Sequence, residues 1–420
     1  MNELGNKKYT RTLQKKVLET SENFPVVLIT GPRQVGKTTL FLQCMKEEEL
    51  KNRTYITLDD LKVRQLAKKD PELFLQTYRC PILIDEVQYA PELFPYIKMI
   101  SDREQKSGLF WLTGSQQFSM MQHVSESLAG RVGILHLQGF SQNEITCNPD
   151  IEPFNVPDTL PAAGHKIAPE QDIFSLTELY ARILRGSYPA LHAHPQTDTE
   201  TYYSSYIQTY IERDVRSLLK VQEHHSFFEF MRVLASRTGQ LINYNDIARD
   251  IGVSVNTVKS WVSVLETSGI IYLLKPWSSN LTKRAIKTPK LYFLDTGLCC
   301  YLTGWKTPET LMNGIMNGSI LETYVVSEIL KSWIHNGKSA PLYFYRDKEQ
   351  HEIDILLEYD GLVHPIEIKR SANPDLSMTK GFLALEKTGV KMGNGSVISL
   401  YPSFLPLSRT VFNIPLWKLL

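Results

Sequence analysis

Short apolar runs alternate with helical patterns through the first third of the chain. The runs cover residues 24–30, 81–85, 108–113 and 132–137, and a further short run covers residues 53–58. Hydrophobicity that is continuous along a strand, instead of alternating, is typical of strands with both faces buried. The pattern therefore predicts an α/β fold built on a parallel sheet.

A glycine-bearing loop follows the first predicted strand and precedes a predicted helix. Residues 31–38 have the sequence Gly-Pro-Arg-Gln-Val-Gly-Lys-Thr, which fits the phosphate-binding pattern G-x-x-x-x-G-K-[ST] in full. In that pattern, backbone N–H groups face anionic oxygens, Lys37 reaches the β- and γ-phosphates, and the Thr38 hydroxyl ligates Mg²⁺. A glycine turn in an unrelated α/β protein is the alternative, but the flanking strand and helix favour a nucleoside triphosphate site. The predicted nucleotide contacts are Gly31, Pro32, Arg33, Gln34, Val35, Gly36, Lys37, Thr38 and Thr39.

Two adjacent acids end the strand predicted over residues 81–85. A charge at the carboxyl end of a buried parallel strand is costly unless it faces a cation or a ligand crevice. Asp85 is therefore a candidate to hold Mg²⁺ through its water shell, and Glu86 a candidate general base for the attacking water. Capping of the following helix would explain one of these carboxylates but not the pair.

Two further positions are candidates for the same reaction. Ser115 follows the strand predicted over residues 108–113 and would sense the γ-phosphate or position water, or else cap the next helix. Arg131 lies between a predicted helix and the strand over residues 132–137. It would reach the γ-phosphate of a neighbouring subunit as an arginine finger in a nucleotide-dependent homo-oligomer, or else form a surface salt bridge.

Composition limits the class of protein. The chain has 420 residues, 42% hydrophobic and 22% charged, which predicts two to four globular domains, each able to bury its own core. The net charge of +1 confines any nucleic-acid surface to a local patch. Five scattered cysteines without C-x-x-C pairs favour reduced thiols. There is no secretory pattern and no long apolar run, so we expect a soluble cytoplasmic protein without a membrane partner.

The motifs at residues 31–38, 84–86, 113–115, 129–131 and 138–144 together resemble the AAA_14/DUF4143 family of AAA+ ATPases. The resemblance covers nearly the whole chain and implies ATP instead of GTP, in agreement with the lack of a guanine-reading N-K-x-D motif. It implies a P-loop NTPase sheet with a helical lid, a winged helix and a C-terminal restriction-endonuclease-like α/β domain. We place these units at residues 1–172, 173–225, 226–290 and 291–420.

Prolines crowd residues 146–172, which we interpret as a linker or surface insertion before the lid. Within the lid, the segment Gly-Ser-Tyr-Pro at residues 186–189 resembles the G-x-P turn of related ATPases, with one extra residue before the proline. The resemblance implies that Tyr188 and Pro189 contact the nucleotide base.

The third unit has the pattern of a helix-turn-helix. A short helix ends at Gly252, a second begins near Val255, and residues 269–274 would start the wing. The unit carries nine Lys and Arg residues against four Asp and Glu residues, which favours DNA as a partner. Packing or protein contact is the alternative. The candidate nucleic-acid contacts are Asn256, Thr257 and Lys259 on the second helix and Lys283, Arg284 and Lys287 after the wing strand.

The C-terminal unit contains a second possible active site. Asp354, followed by Glu367 and Lys369 on the next predicted strand, has the form D…E-x-K of PD-(D/E)XK nucleases. The two carboxylates would hold a divalent metal and the lysine would activate water, with Glu322 or Glu328 as a further carboxylate. A degenerate fold that only binds DNA is the alternative. Two roles stay open: an enzyme that cuts DNA, and a nucleotide-gated regulatory switch that binds DNA or a protein without cutting.

Overall fold

The computed structural model describes residues 9–47, 53–114, 124, 126–158, 175–210, 224–278 and 288–419. The strands are β1 (Val26–Thr30), β2 (Thr54–Thr57), β3 (Ile82–Asp85), β4 (Phe110–Thr113), β5 (Val132–His136), β6 (Gln240–Leu241), β7 (Ile271–Leu274), β8 (Lys290–Phe293), β9 (Leu342–Arg346), β10 (Glu352–Tyr359), β11 (Leu362–Lys369), β12 (Gly395–Ser399), β13 (Leu405–Pro406) and β14 (Val411–Pro415). The helices are α1 (Leu13–Asn23), α2 (Lys37–Glu47), α3 (Leu61–Lys69), α4 (Pro71–Thr77), α5 (Leu93–Glu104), α6 (Gln142–Ile145), α7 (Leu176–Arg185), α8 (Pro189–Ala193), α9 (Thr199–Tyr210), α10 (His224–Ala235), α11 (Tyr244–Ile251), α12 (Val255–Thr267), α13 (Thr296–Thr303), α14 (Pro308–Asn313), α15 (Asn317–Ile334) and α16 (Lys380–Glu386).

The first sheet is parallel and has the strand order β2-β3-β4-β1-β5. All residues of β1, β3 and β4 are buried, as their continuous apolar runs predict, because helices cover both faces. β1 is paired on both sides, with Val26 opposite Phe110 of β4 and Val132 of β5. The predicted P-loop NTPase architecture is confirmed.

The core does not divide into one cluster per predicted unit. One face of the first sheet packs on a cluster that includes Val26, Leu28 and Phe110. The other face contributes Val27 and Ile29 to a cluster that continues through the middle of the chain to the C-terminal sheet. On this face of the sheet, the apolar surface of several predicted units is therefore shared.

The middle of the chain forms helices around a small antiparallel sheet of order β6-β8-β7. Asn243 caps α11 and Ser254 caps α12 through side-chain acceptors for backbone N–H groups, and Gly252 ends α11 in the left-handed conformation. β8 starts at Lys290, so the sheet continues across the boundary that the sequence pattern placed at residue 290. Residues 147–158 contain no helix or strand, and residues 159–172 of the predicted linker lie outside the described residues.

The C-terminal sheet is mixed and has the order β13-β14-β12-β11-β10-β9. The antiparallel strands β9, β10 and β11 are followed by a parallel pairing of β11, β12 and β14. Bonds from Trp277 N–H to the Phe344 carbonyl (2.6 Å) and from Phe344 N–H to the Lys275 carbonyl (3.0 Å) join it to the chain that follows β7. Among the described helices, no segment has the length and apolar character needed to cross a membrane.

Candidate nucleotide site and carboxylate cluster

The phosphate loop connects the carboxyl end of β1 to the first turn of α2. Gly31 has φ of 144°, and a Cβ at this position would lie 2.0 Å from the carbonyl oxygen of Leu137, so the turn requires glycine. Lys37 is buried, and its Nζ donates to the carbonyls of Gly31 (3.1 Å) and Pro32 (2.7 Å). The cation is thus held against the loop that the pattern assigns to phosphate binding.

Asp85 collects hydroxyl donors at the carboxyl end of β3. Thr38 Oγ1 donates to Asp85 Oδ1 at 2.6 Å, and Thr113, the last residue of β4, donates to the same oxygen. Tyr55 OH donates to Asp85 Oδ2 at 3.3 Å. A hydroxyl beside a carboxylate supplies the hard oxygen ligands that Mg²⁺ prefers, so Thr38 and Asp85 fit the predicted metal site.

Glu86 leaves the strand direction immediately after Asp85. Its φ of 58° places it in the left-handed region, and its backbone N–H donates to Thr113 Oγ1 at 3.0 Å. Its carboxylate accepts a hydrogen bond from Gln88. Because of this turn, Glu86 lines a cavity of about 570 Å³ together with the phosphate loop. The other lining residues are Arg33, Gln34, Gly36, Lys37, Thr38, Thr39, Pro189 and Thr209.

The lid turn contributes Pro189 but not Tyr188 to this cavity. The Tyr188 ring packs against Tyr202, Tyr203 and Tyr206, and burial raises the pKa of Tyr188 well above its usual value. Tyr202 instead reaches the loop, since its hydroxyl donates to Gln34 Oε1 at 2.8 Å. Pro32 and Val35 face away from the cavity, toward Ser187 and Gly269.

Of the two remaining candidates for catalysis, the structure describes only Arg131. Ser115 lies outside the described residues. Arg131 precedes β5 at the amino ends of the strands, opposite the edge that carries the phosphate loop. Its guanidinium pairs with Asp102 of α5, and the hydrogen bond from Arg131 lowers the pKa of Asp102. Arg131 therefore has no access to the nucleotide of its own chain.

The candidate nucleic-acid contacts of α12 lie near its first turn. Asn256 and Lys259 are exposed, whereas Thr257 is half-buried and hydrogen-bonds to Ser254 Oγ through its backbone N–H (3.1 Å) and hydroxyl (2.8 Å). Lys259 Nζ lies 5.8 Å from the Tyr244 ring centroid. Lys283, Arg284 and Lys287 lie outside the described residues.

In the C-terminal sheet, the three predicted nuclease residues meet. Asp354 of β10 accepts a hydrogen bond from the backbone N–H of Ile368 at 2.8 Å. Lys369 Nζ lies 3.5 Å from Asp354 Oδ2 and pairs with Glu367, which is two residues away on the same face of β11. Burial and the nearby Asp354 carboxylate raise the pKa of Glu367 to about 9.

Glu322 of α15 completes this group, which we call the carboxylate cluster (Glu322, Glu352, Asp354 and Glu367). Burial and the Asp354 charge raise the pKa of Glu322 to about 7. Tyr292 OH donates to Glu322 Oε1 at 2.6 Å. Lys290 Nζ lies 3.3 Å from Glu322 Oε1 and 2.5 Å from Glu352 Oε1.

Glu328, the alternative to Glu322 in the sequence prediction, is elsewhere. It accepts from the Gln142 backbone N–H at 2.9 Å and pairs with Lys331 at 2.9 Å, so that assignment is wrong. α15 is an 18-residue helix, and Glu322 and Glu328 are six residues apart, which places them on different faces. The carboxylates of the cluster thus come from two strands and a helix, and their oxygens are the type of ligand that a divalent cation takes.

Family models match the two parts of the chain that contain these sites. The model of the AAA domain matches residues 23–146, which include the phosphate loop, Asp85 and Glu86. The model of DUF4143, a domain of unknown function, matches residues 317–419, which include all four residues of the carboxylate cluster. Together they match more than half of the chain.

The two matches support an AAA+ ATPase of the AAA_14/DUF4143 family. A third model, another domain of unknown function (DUF8612), matches residues 176–309 between the two. The chain is 29% identical to the uncharacterized protein Rv2008c of Mycobacterium tuberculosis over 93% of this chain and 80% of that protein. It is 26% identical to the uncharacterized protein MJ1637 of Methanocaldococcus jannaschii over 74% and 70% of the two chains.

Solved structures with some likeness include the Walker-type ATPase PABY2304 of Pyrococcus abyssi. It is 15% identical, with a TM-score of 0.42 over 69% of this chain and 94% of that chain. A RuvB mutant of Thermotoga maritima is 16% identical, with a TM-score of 0.29 over 62% and 87% of the two chains.

In this AAA+ ATPase, a buried ion pair connects the phosphate loop to the C-terminal domain. Arg11 donates to Glu144 Oε1 (3.0 Å) and to the carbonyls of Val35 (2.9 Å) and Gln138 (2.7 Å). His335 Nδ1 lies 3.3 Å from Glu144 Oε1, and its Nε2 accepts from the Gln138 N–H. Burial alone would raise the pKa of Glu144, but Arg11 and His335 hold it well below its usual range.

Sequence reasoning missed several residues that build both sites. Tyr55, Arg11 and His335 carry no motif, because their roles come from contacts between distant segments. Lys290 and Tyr292 had one usable signal, since they alternate along a strand and point to the same side of it.

Proposed function

We propose that this AAA+ ATPase binds ATP with Mg²⁺ in the cavity at the phosphate loop and hydrolyses it there. The observation that carries the proposal is the convergence of Lys37, Thr38, Asp85 and Glu86 at one edge of the parallel sheet. Each is a residue type that phosphoryl transfer uses: a cation for the phosphates, metal ligands and a base.

Each of these residues would have a separate role in the reaction. Lys37 would exchange the Gly31 and Pro32 carbonyls for phosphate oxygens, which are stronger acceptors for an ammonium group. Thr38 and Asp85 would hold Mg²⁺, which neutralises phosphate charge when bound. Glu86 would accept a proton from the attacking water, whose oxygen then bonds to the γ-phosphorus as the bond to ADP breaks.

Replacement of Lys37 by alanine tests the binding step. Lys37→Ala should weaken binding of a fluorescent ATP analogue by at least about tenfold, because the loop loses its central cation. Lys46→Ala, an exposed lysine on the same helix α2, is the matched control and should bind like the wild type. Equal affinity of Lys37→Ala and the wild type would exclude this site.

We further propose that DNA is the partner and that the C-terminal domain cuts it with a divalent cation. The specific observation in favour is that Asp354, Glu367 and Lys369 meet from two strands, while Glu322 comes from a helix close enough for the Asp354 charge to raise its pKa. In such a reaction, water attacks a backbone phosphorus, one P–O ester bond breaks, and the departing oxygen takes up a proton. Asp354 and Glu367 would hold the ion and Lys369 would orient the water.

A nuclease assay on single- and double-stranded DNA with Mg²⁺ or Mn²⁺, with and without ATP, tests this. Asp354→Ala should remove cutting and leave ATP hydrolysis intact, because the two sites use separate ions. Glu386→Ala, an exposed acid of the same domain, should cut normally. If the wild type binds DNA in an ATP-dependent way and does not cut, the regulatory switch is the better description.

One contact supports control of DNA binding by the nucleotide, whether the protein cuts DNA or only binds it. Gly269, which follows α12, has φ of 71°, and a Cβ there would lie 2.9 Å from Cγ of Pro32. Pro32 is one of the two residues whose carbonyls hold Lys37. A change in the loop on binding ATP would therefore reach the end of the helix that carries Asn256 and Lys259.

A further inference from the structure

The side chain of Lys290 is a buried cation between two domains. Lys290 is the first residue of β8, in the small antiparallel sheet, and its side chain is only 3% exposed. Its two carboxylate partners lie in the C-terminal domain: Glu322 on α15 and Glu352 on β10. The paired carboxylates raise the pKa of Lys290 despite its burial, so the group is an ammonium.

The carboxylate cluster is divided between two lysines. Lys369 pairs with Asp354 and Glu367, whereas Lys290 pairs with Glu322 and Glu352. Arg346 Nη1 lies 3.6 Å from Glu352 Oε2. Among the described side chains of the cluster, each of the two lysines therefore pairs with two of the four carboxylates.

We propose that Lys290 is an internal competitor of the divalent cation for Glu322. The inference rests on the metal-binding role proposed above for Asp354 and Glu367. While the ammonium holds Glu322, this carboxylate cannot turn fully to an ion at Asp354, and the positive charge of Lys290 repels the ion. Binding of the ion then requires that Glu322 exchange one cation for the other.

The competition links the cluster to the unit that contains α12. β8 pairs with β7, and β7 follows α12 in the chain. The Lys290 ion pairs are thus cross-links between the small sheet and the C-terminal domain. Since coupling between two binding events is reciprocal, a ligand that shifts β8 would change the cation affinity of the cluster, and the cation would change the affinity for that ligand.

Calorimetric titration of the full chain with Mn²⁺, without nucleotide, measures the competition. Lys290→Met should bind Mn²⁺ about tenfold more tightly than the wild type, since one repelling charge a few ångströms away is removed. Lys306→Met, an exposed lysine paired with Glu200, is the matched control and should not change the affinity. Lys290→Arg keeps the charge and should keep the wild-type affinity.

Asp354→Asn identifies the part of the binding heat that comes from Mn²⁺ at the carboxylate cluster, because this substitution should abolish that part. Unchanged or weaker Mn²⁺ binding by Lys290→Met, with the Asp354-dependent heat present, would overturn the competition and leave the metal site standing. No Asp354-dependent heat in any variant would overturn both the metal site and the competition.

A second measurement uses the wild type and so does not depend on how Lys290→Met folds. Acylation of lysines, mapped by mass spectrometry, should be slow at Lys290 without Mn²⁺ and several-fold faster with saturating Mn²⁺, when the ammonium loses Glu322. Lys306 should react equally in both conditions. Equal protection of Lys290 with and without bound Mn²⁺ would contradict the proposal.

Discussion

At the scale of single residues, two buried cations hold the carbonyls of the phosphate loop. Lys37 holds those of Gly31 and Pro32, and Arg11 holds that of Val35. Carbonyls that are engaged in this way leave the loop N–H groups to an anionic ligand. Arg11 keeps its position through Glu144, so a carboxylate outside the motif determines the conformation of the loop.

Glu144→Gln should destabilise the fold by about 3 kcal/mol, because Arg11 would be left as a buried charge with a neutral partner. Urea unfolding measures this difference. Glu229→Gln breaks an exposed pair with Arg232 and should cost at most about 1 kcal/mol. Equal losses of unfolding free energy in the two variants would show that the buried pair stabilises the fold no more than the exposed pair does.

The same residue gives a pH dependence. The pKa of Glu144 is lower in the folded chain than in the unfolded chain, so the folded state favours the ionised form. Its contribution to the free energy of unfolding is complete above the ordinary pKa of 4.5 and is lost as pH falls further. The stability difference between wild type and Glu144→Gln should therefore be constant near neutral pH and shrink below about pH 4.5. A difference that grows on acidification would contradict the assignment.

At the scale of elements, the nucleotide site was predictable because its parts are contiguous. Strand, loop and helix follow one another in residues 26–47, and Asp85 ends a buried strand that Glu86 directly follows. The carboxylate cluster was predictable only in part. Asp354, Glu367 and Lys369 lie on consecutive strands, whereas Lys290 enters from another sheet through packing that no local pattern encodes.

The same limit applies to the choice between Glu322 and Glu328. Both lie on α15, and helical spacing says that they occupy different faces but not which face meets β10. That choice depends on the position of the helix against the sheets, which a single sequence does not specify.

Helix α12 gives a prediction about DNA. Lys259→Ala should weaken binding of duplex DNA by a few-fold for every sequence and reduce the salt slope by about 1, as loss of one phosphate contact does. Lys62→Ala, an exposed lysine on α3, should leave both quantities unchanged. Fluorescence anisotropy at several salt concentrations measures them. An unchanged slope for Lys259→Ala would indicate that α12 does not face DNA.

At the scale of the whole molecule, the three sheets form one packed body. Glu144 connects the phosphate loop to His335, Pro32 contacts Gly269, and Lys290 connects the small sheet to the C-terminal domain. The sequence indicated the order of the units but not these junctions, because each junction joins residues far apart in the chain. The phosphate loop, α12 and the carboxylate cluster are therefore connected by these contacts.

Substitution of Arg131 tests whether ATP hydrolysis requires an assembly of several copies of the chain. Arg131→Ala should slow ATP hydrolysis at least about tenfold without weakening ATP binding, if the guanidinium acts on the nucleotide of a neighbouring copy. Asp102→Asn is the matched control, because it removes the partner of Arg131 but keeps the guanidinium, and it should not slow hydrolysis. If both variants lose the same fraction of ATPase activity, or if specific activity is independent of protein concentration, Arg131 and Asp102 form only a surface salt bridge.

The measurement that bears most directly on the central claim is steady-state phosphate release by Glu86→Gln, with ATP affinity determined in parallel. Lys37, Thr38 and Asp85 are intact in this variant, so ATP should bind as it does to the wild type. Phosphate release should fall at least about a hundredfold, because the general base is gone. Release of phosphate at the wild-type rate by Glu86→Gln would contradict the account.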